Sequence, residues 1–275
     1  MKLSSHFRHI LGIGLTGILC LIWIFPLFWG LSTALRPEEM TVADFRWLPD
    51  PFTVDSFVQV LTFGDLPTFF INSAITSLAV TVFAVGFSLL AAYAFSQLQF
   101  GFKKIVFYLC IFAIIFPFES LVIPLYRLVF ELGLSNTLTA IVLPQIASPI
   151  VLFVFKNFFD QIPREYREAA KLDGAPEWQI LLKLYVPLSK NIIYAMSIIT
   201  FIGAWNNFLW PFLVSSSVST MTIPVGLTQL ADTYGIHYAQ TMAAALVGGL
   251  PVALMYIFFQ RKVNSGFLAT TGLKG

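Results

Sequence analysis

Charged side chains are scarce in this sequence of 275 residues, where Asp, Glu, Lys and Arg together make up 11% of the chain. A soluble domain carries about 25% charged residues, whereas hydrophobic residues here reach 57%. A chain of this composition cannot cover a surface that faces water, so lipid must be its solvent. The net charge of only +2 and the lack of a long basic tract argue against a nucleic-acid partner.

Reactive and ligand-binding residue patterns are also missing. The two cysteines, Cys20 and Cys110, lie in apolar runs, where they form neither a disulfide framework nor a metal-binding pattern. The three histidines, at positions 6, 9 and 237, provide no catalytic cluster. No Gly-x-x-x-x-Gly-Lys-Ser/Thr sequence is present to cradle a nucleotide phosphate. We therefore expect that this chain is not an enzyme and binds no cofactor itself.

Long uncharged runs, in contrast, are abundant, and they predict an all-α polytopic membrane protein. Six spans are predicted: Ile10–Leu35, Phe69–Phe95, Ile105 to about Leu125, Leu132–Phe155, Asn191 to the serines at 215–217, and Ala239–Gln260. Short loops rich in Lys and Arg stay in the cytoplasm. With both termini cytoplasmic, inner segments carry thirteen of the sixteen Lys and Arg residues and outer segments carry three. We therefore predict cytoplasmic termini.

One inner loop, Asn157–Lys190, is much longer than a connection requires. Pro163 suits the first turn of a helix, and Asp173-Gly174 is typical of a helix end followed by a turn. Pro176 then begins a second helix with an apolar face. The loop is thus predicted to be a helix–turn–helix at the cytoplasmic surface. Its residues alone fit either an amphipathic hairpin resting on the membrane or a docking element for a soluble partner.

A family resemblance favours the docking element. The run Glu168-Ala-Ala-Lys-Leu-Asp-Gly-Ala175 resembles the EAA loop of permease subunits of bacterial binding-protein-dependent ABC importers. Further runs resemble the carbohydrate-uptake branch, and within it the maltose-type permease subunit with six spans; they are Asn72-Ser73, Ala92-Tyr-Ala-Phe95, Trp205-Asn-Asn-Phe208 with Trp210-Pro211, and Gly272-Leu-Lys-Gly275. The resemblance covers residues 72–275 well and the first span only by general pattern.

The resemblance implies a type I importer permease fold in a bacterial inner membrane. It implies a second, homologous permease, two ATPase subunits that bind ATP and Mg, and an extracytoplasmic protein that delivers the sugar. The residues implied in ATPase coupling are Glu168, Ala169, Ala170, Asp173, Gly174 and Ala175. Gly272, Lys274 and Gly275 resemble a tail that reaches the ATPase pair. The expected domains are residues 1–67, a transmembrane core at 68–260 with the coupling loop, and a cytoplasmic tail at 261–275.

Polar residues within the spans point to a solute pathway. Asn206 and Asn207 are amides in an apolar span, where they must face protein or water. They either bond neighbouring helices or line the pathway, where Trp205 or Trp210 would offer a flat ring to a sugar. Gln145 is a second pathway candidate on the same reasoning. A different class of protein, an ion-coupled secondary transporter, would need an ionisable group in the middle of a span, and none is found there.

Overall fold

The computed structural model describes residues 5–43, 46–62, 64–232 and 235–271. These residues are mostly helical, which confirms the prediction of a helical membrane protein, with one small addition. Two strands of two residues each, β1 (Ala231–Asp232) and β2 (Gly235–Ile236), pair antiparallel. The backbone divides into two compact units, Met1–Pro67 with Gly226–Leu250, and Thr68–Val225 with Pro251–Gly275.

The first unit contains the N-terminal helices and the beginning of the last helix. Its helices are α1 (Ser5–Ala34), α2 (Glu38–Ala43), α3 (Asp55–Thr62) and the first part of α15 (Tyr238–Thr271). Ala34, Val60, Leu66, Ala243 and Ala244 form its small core. The side chains of α1 between Leu11 and Phe25 are largely exposed, as suits a helix whose surroundings are lipid rather than water.

The second unit contains the remaining helices. They are α4 (Leu66–Gln97), α5 (Lys103–Phe112), α6 (Phe118–Glu131), α7 (Leu138–Val142), α8 (Pro149–Asp160), α9 (Arg164–Leu172), α10 (Glu177–Ile180), α11 (Val186–Leu188), α12 (Lys190–Trp205), α13 (Leu209–Val214) and α14 (Ile223–Gly226). A 3₁₀ turn, Leu143–Gln145, follows α7, and a π-helical turn, Leu181–Tyr185, joins α10 to α11. Another 3₁₀ turn, Leu227–Gln229, comes directly after α14 and belongs to the first unit.

Three described helices are long and apolar enough to cross a bilayer: Leu11–Ala34, Leu66–Gln97 and Tyr238–Gln260. The number reaches five if each of two bent helix pairs is one span, so the predicted total of six stays a prediction. The expected third span is divided between α5 and α6. Pro117 precedes the first residue of α6 with extended backbone, and proline both lacks an N–H and keeps the preceding residue out of the helical region.

The expected fourth and fifth spans are also interrupted. The fourth begins at Leu138 and bends by 43° between Gln145 and Pro149, where Ser148 caps α8 by accepting a hydrogen bond from the Val151 N–H at 3.5 Å. In the fifth, α12 ends at Trp205 and α13 begins at Leu209. Hydropathy could not predict these breaks, because it averages side-chain polarity over a window of residues and carries no information on where the backbone leaves the helical conformation.

A main core cluster lies in the second unit, where α4, α8, α12 and the segment 180–185 meet. Its buried members are Val85, Ala92, Tyr93, Phe95, Val151, Leu152, Phe155, Phe159, Ile162, Ile180, Leu181, Tyr185, Ile192, Ala195 and Met196. Because Ile162, Ile180, Leu181 and Tyr185 belong to it, both ends of the 157–190 loop are packed against the spanning helices. In the middle of the loop, α9 and the turn after it touch the cluster through Ala170 and Ala175 and expose their other side.

Candidate functional site

Helix α9 ends as its sequence predicts. Gly174 has a φ of +79°, in the left-handed region that residues with a side chain seldom adopt. The Gly174 N–H donates to the Lys171 carbonyl at 3.0 Å, and the Ala175 N–H donates to the Ala170 carbonyl at 3.0 Å. These two bonds form the Schellman motif, which satisfies carbonyls at the end of a helix. The predicted helix–turn–helix is therefore present.

The predicted coupling residues divide between two sides of this helix and turn. Four of them are exposed: Glu168, Ala169, Asp173 and Gly174. Ala170 and Ala175 are half-buried and pack against the main core cluster. Leu172, at the end of α9, is 89% exposed. The outer side of α9 thus combines a carboxylate, a small residue and an exposed apolar side chain.

Glu177, which the sequence did not single out as functional, is the centre of a charged cluster. Its carboxylate accepts hydrogen bonds from the Arg167 guanidinium and the Tyr93 hydroxyl, and Lys171 Nζ lies 2.8 Å from Oε1. Arg167 and Lys171 are four residues apart on α9, so both reach back to the first turn of α10. Tyr93 is near the end of α4. The Glu177 side chain therefore connects α10 to α9 within the loop, and connects the loop to the spanning helix α4.

The electrostatics of this cluster favour the ionised carboxylate. Partial burial raises the pKa of Glu177, but hydrogen bonds from Arg167, Lys171 and Tyr93, together with the charge of Arg167, outweigh burial and bring its pKa to about 2. Glu177 is therefore fully ionised at any physiological pH. The cluster is a permanent ion-pair joint and does not switch with physiological changes in pH.

Aromatic packing holds Tyr93 in place. Its ring centroid lies 5.1 Å from that of Tyr185 and 6.5 Å from that of Phe159, both in edge-to-face geometry. These three rings belong to α4, α8 and the π-helical turn, so the Tyr93 hydroxyl has little freedom to move. Sequence reasoning missed this cluster because Tyr93 and Glu177 are 84 residues apart. The available signal was the Arg167–Lys171 spacing, which places two cations on one face of α9.

The predicted pathway residues lie at the interruptions of the fourth and fifth expected spans. Asn207 Nδ2 donates to Gln145 Oε1 at 2.8 Å, and Gln145 Nε2 donates to the Ile141 carbonyl at 2.8 Å. Asn206, the neighbour of Asn207, is exposed. The two breaks are thus bridged by an amide pair, which gives Asn207 and Gln145 a structural role. Whether Asn206 faces a solute stays a prediction.

Both candidate tryptophans are packed inside this chain. Trp205 is 3% exposed, stacks on Phe201 at 5.6 Å and meets Phe70 edge-on at 5.3 Å between centroids. Trp210 is fully buried, and its indole N–H donates to the Ala140 carbonyl at 2.9 Å. Their packing gives each of them a structural role, and their place in a solute pathway stays a prediction.

The Asn72-Ser73 pair anchors the segment after α13. The Asn72 amide donates to the carbonyls of Ser219 and Met221 at 3.0 and 2.9 Å, and Ser73 Oγ accepts from the Ile223 N–H at 2.8 Å. This motif is therefore a support for the connection between the fifth and sixth expected spans. The tail residues Gly272, Lys274 and Gly275 lie outside the described residues. Within the described ranges, no group of three His, Cys, Asp or Glu side chains could hold a metal ion.

The apolar spanning helices, together with a loop that rests on them and exposes one face, define a polytopic membrane protein. Residues 84–265 match the family described as the inner membrane component of binding-protein-dependent transport systems. The chain belongs to this family, since the match covers more than half of it. Its location in the inner membrane follows from that membership.

Similar proteins agree with this assignment. The arabinooligosaccharides transport system permease protein of Halalkalibacterium halodurans is 34% identical over 100% of this chain and 99% of its own. The trehalose/maltose transport system permease protein of Thermococcus litoralis is 31% identical over 97% of this chain and 96% of its own. These matches confirm the resemblance to carbohydrate-uptake permease subunits of ABC importers.

The fold has a solved counterpart. A chain in the crystal structure of a bacterial ABC transporter involved in alginate import superposes with a TM-score of 0.86 at 20% identity, over 95% of this chain and 98% of the other. At this identity the likeness concerns the fold alone. The predicted importer permease architecture is thus supported by backbone geometry as well as by sequence.

Proposed function

We propose that this chain is a permease subunit of an ATP-driven sugar importer and forms half of its translocation pathway. A second, homologous permease supplies the other half, two ATPase subunits bind and hydrolyse ATP with Mg, and an extracytoplasmic binding protein delivers the sugar. Family membership and the sugar-permease relatives support this assembly. The chain itself is proposed to bind no cofactor and to catalyse no reaction.

The proposed topology has six spans with both termini and the 157–190 loop in the cytoplasm. The bias in Lys and Arg supports it. The test is single-cysteine labelling of intact cells in a version without Cys20 and Cys110. Glu165→Cys, on exposed α9, should resist a membrane-impermeant maleimide, whereas Val218→Cys should react. Labelling of Glu165→Cys in intact cells would refute the topology.

The 157–190 loop is proposed to couple this chain to an ATPase subunit. The observation that carries this proposal is the joint at Glu177, which ties α9 to the spanning helix α4 while Glu168, Ala169 and Leu172 stay exposed on the opposite side. A movement of the ATPase against that exposed face would reach α4 through ion pairs and hydrogen bonds rather than through a flexible chain. A hairpin that only rests on the membrane needs no such joint.

Reversal of the exposed charge tests coupling directly. Glu168→Lys should weaken docking of the ATPase and lower both sugar uptake and the stimulation of ATP hydrolysis by the loaded binding protein. Glu131→Lys is the matched control, since Glu131 is an exposed carboxylate at the end of α6, remote in sequence from the loop. Reconstituted complexes are assayed for uptake, hydrolysis and subunit ratio. Equal activity in the two variants would refute coupling through this face and leave the membrane-hairpin interpretation.

The C-terminal tail is proposed to add a second contact with the ATPase pair. Its basis is the resemblance of Gly272, Lys274 and Gly275 to the tail of the maltose-type subunit. Truncation after Thr271 should lower sugar-stimulated ATP hydrolysis in assembled complexes while membrane insertion stays intact. Unchanged stimulation would refute the contact.

A further inference from the structure

A basic cleft lies beside the coupling joint and has no part in the proposed coupling. It has a volume of about 350 Å³ and is lined by residues from the end of α4 and from α5, α8 and the start of α9. Its charged lining residues are Lys103, Lys104, Lys156, Arg164 and Asp160. Four cations thus face a cleft with a single carboxylate.

That carboxylate is already neutralised. Asp160 pairs with Lys156 at 2.6 Å and accepts a hydrogen bond from Ser96 Oγ at 2.7 Å. Behind them, the buried Gln97 amide donates to Ser96 Oγ at 2.7 Å, which completes the polar floor of the cleft. Asp160 and Lys156 cancel, so Lys103, Lys104 and Arg164 remain as an excess of three positive charges.

Among the residues that the structure describes, no carboxylate forms an ion pair with Lys103, Lys104 or Arg164. Lys103 Nζ donates to the carbonyls of Leu98 and Ser96 at 2.7 and 3.3 Å, and both acceptors are neutral. Lys104 and Arg164 have no hydrogen-bond acceptor in the part of the chain that the structure describes. Like charges that line one cleft repel each other, and an anion bound among them would relieve the repulsion.

The pKa of Lys103 is lowered mainly by burial, and the neighbouring cations add to that shift. The negative charge of Asp160 raises this pKa, while the positive charges of Lys156 and Arg164 lower it further. An anion in the cleft would act in the direction of Asp160 and stabilise the ammonium form.

The mouth of the cleft has the character of a membrane interface. Tyr108, which lines it, is 67% exposed. Ile105 and Leu109 on α5 are 58% and 64% exposed, and Phe102, just before α5, is 79% exposed. Aromatic residues gather at the depth of lipid headgroups, and apolar residues gather just below them. The cleft therefore offers cations for an anionic group and, next to them, an apolar surface for a hydrocarbon chain.

We propose that this cleft binds the phosphate group of an anionic phospholipid from the cytoplasmic leaflet, with Lys103, Lys104 and Arg164 as its ligands. Basic pockets between spanning helices on the cytoplasmic side are suited to such headgroups. Free phosphate shares the anion chemistry but would leave the apolar surface of α5 unused. The assignment to the cytoplasmic leaflet rests on the proposed topology.

The test uses the assembled transporter, reconstituted in vesicles of phosphatidylcholine with a minority of phosphatidylglycerol. Native mass spectrometry after extraction measures the phosphatidylglycerol that stays bound. Lys104→Gln should lower the affinity for phosphatidylglycerol about fivefold, and Lys104→Gln combined with Arg164→Gln should lower it about thirtyfold. These factors correspond to the free energy expected for each cation near an anionic headgroup. The matched control is Lys183→Gln with Lys190→Gln, which removes two exposed cations of the same loop outside the cleft.

Three results would overturn the proposal. Equal phosphatidylglycerol retention in the cleft and control variants would show that the cleft holds no lipid. Displacement by inorganic phosphate, without preference for phosphatidylglycerol over phosphatidylcholine, would assign the cleft to a free anion. Loss of the ATPase subunit from the Lys104→Gln complex would assign these cations to protein contact. If the double variant fails to assemble, the single Lys104→Gln variant decides, because Lys104 is exposed and its removal breaks no described bond.

Discussion

Neutralisation of Glu177 is the sharpest perturbation that the structure offers. Glu177→Gln keeps the size of the side chain but removes the charge that holds Arg167, Lys171 and the Tyr93 hydroxyl together. Within the main core cluster only the hydroxyl bond of Tyr93 is affected, and the apolar contacts are unchanged, so membrane insertion and helix packing should persist. The expected result is a loop in which α9 detaches more often from the end of α4.

The magnitude follows from the exposure of the joint. Buried hydrogen bonds to charged groups contribute about 1.5–3 kcal/mol each, whereas exposed ion pairs contribute about 0.2–1 kcal/mol. The Glu177 side chain is 35% exposed, so solvent screens part of its interaction. A total of about 1–2 kcal/mol is expected, because glutamine retains some hydrogen bonding. That free energy corresponds to roughly a 5- to 30-fold increase in the opening equilibrium of the loop.

Hydrogen exchange measures this opening directly in the assembled transporter. Amides of Arg164–Leu172 should exchange faster by that factor, since exchange of a protected amide reports the free energy of local opening. Uptake and sugar-stimulated ATP hydrolysis should fall in parallel. Glu131→Gln is the control. Tyr93→Phe should have a smaller effect, and the double variant should fall short of additivity, because both changes break one network.

Two outcomes would count against the joint or its role in coupling. If α9 in Glu177→Gln exchanges no faster than in Glu131→Gln, the ion pairs do not hold the loop. If hydrogen exchange in α9 rises while sugar-stimulated ATP hydrolysis and uptake stay normal, the ion pairs hold the loop but are not needed for coupling to the spanning helices.

The remaining predictions concern the turn, the bridged breaks and pH. Gly174→Val should cost about 1–3 kcal/mol in loop stability from backbone strain alone, since a Cβ there meets no atom within 4 Å. It should also lower sugar-stimulated ATP hydrolysis. Gly133→Val, which is strained in the same way at a φ of +67° but lies outside the loop, should leave that stimulation normal. Asn207→Leu should lower the free energy of unfolding of the complex by about 1 kcal/mol, because it breaks the hydrogen bond to Gln145. Asn206→Leu should leave the free energy of unfolding unchanged, and equal effects of the two substitutions would refute the bridge. Because the pKa of Glu177 is depressed to about 2, its contribution is present above the unfolded pKa and lost only as pH falls toward 2. Protection of α9, corrected for intrinsic exchange, should therefore be constant from about pH 8 to 5, and a fall in that range that Glu177→Gln abolishes would contradict the assignment.

The membrane class and the loop were open to prediction because both depend on local chemistry. Uncharged runs report lipid exposure residue by residue, and Asp173-Gly174 determines a helix end through the backbone freedom of glycine alone. The order glutamate–alanine–alanine then aspartate–glycine–alanine was sufficient to identify the family. None of these inferences requires knowledge of which distant residues meet.

The tertiary structure decided what those local signals leave open. The hydropathy of residues 105–125 predicts one span, but Pro117 divides it, because backbone geometry and not composition sets whether a helix continues. Asn206 and Asn207 are chemically identical neighbours, and only the position of Gln145 on another segment makes Asn207 the structural one. The joint at Glu177 and the basic cleft likewise join residues from helices far apart in sequence. Ion pairs and amide bonds act over a few ångströms, so their partners are determined by packing and cannot be read from spacing along the chain.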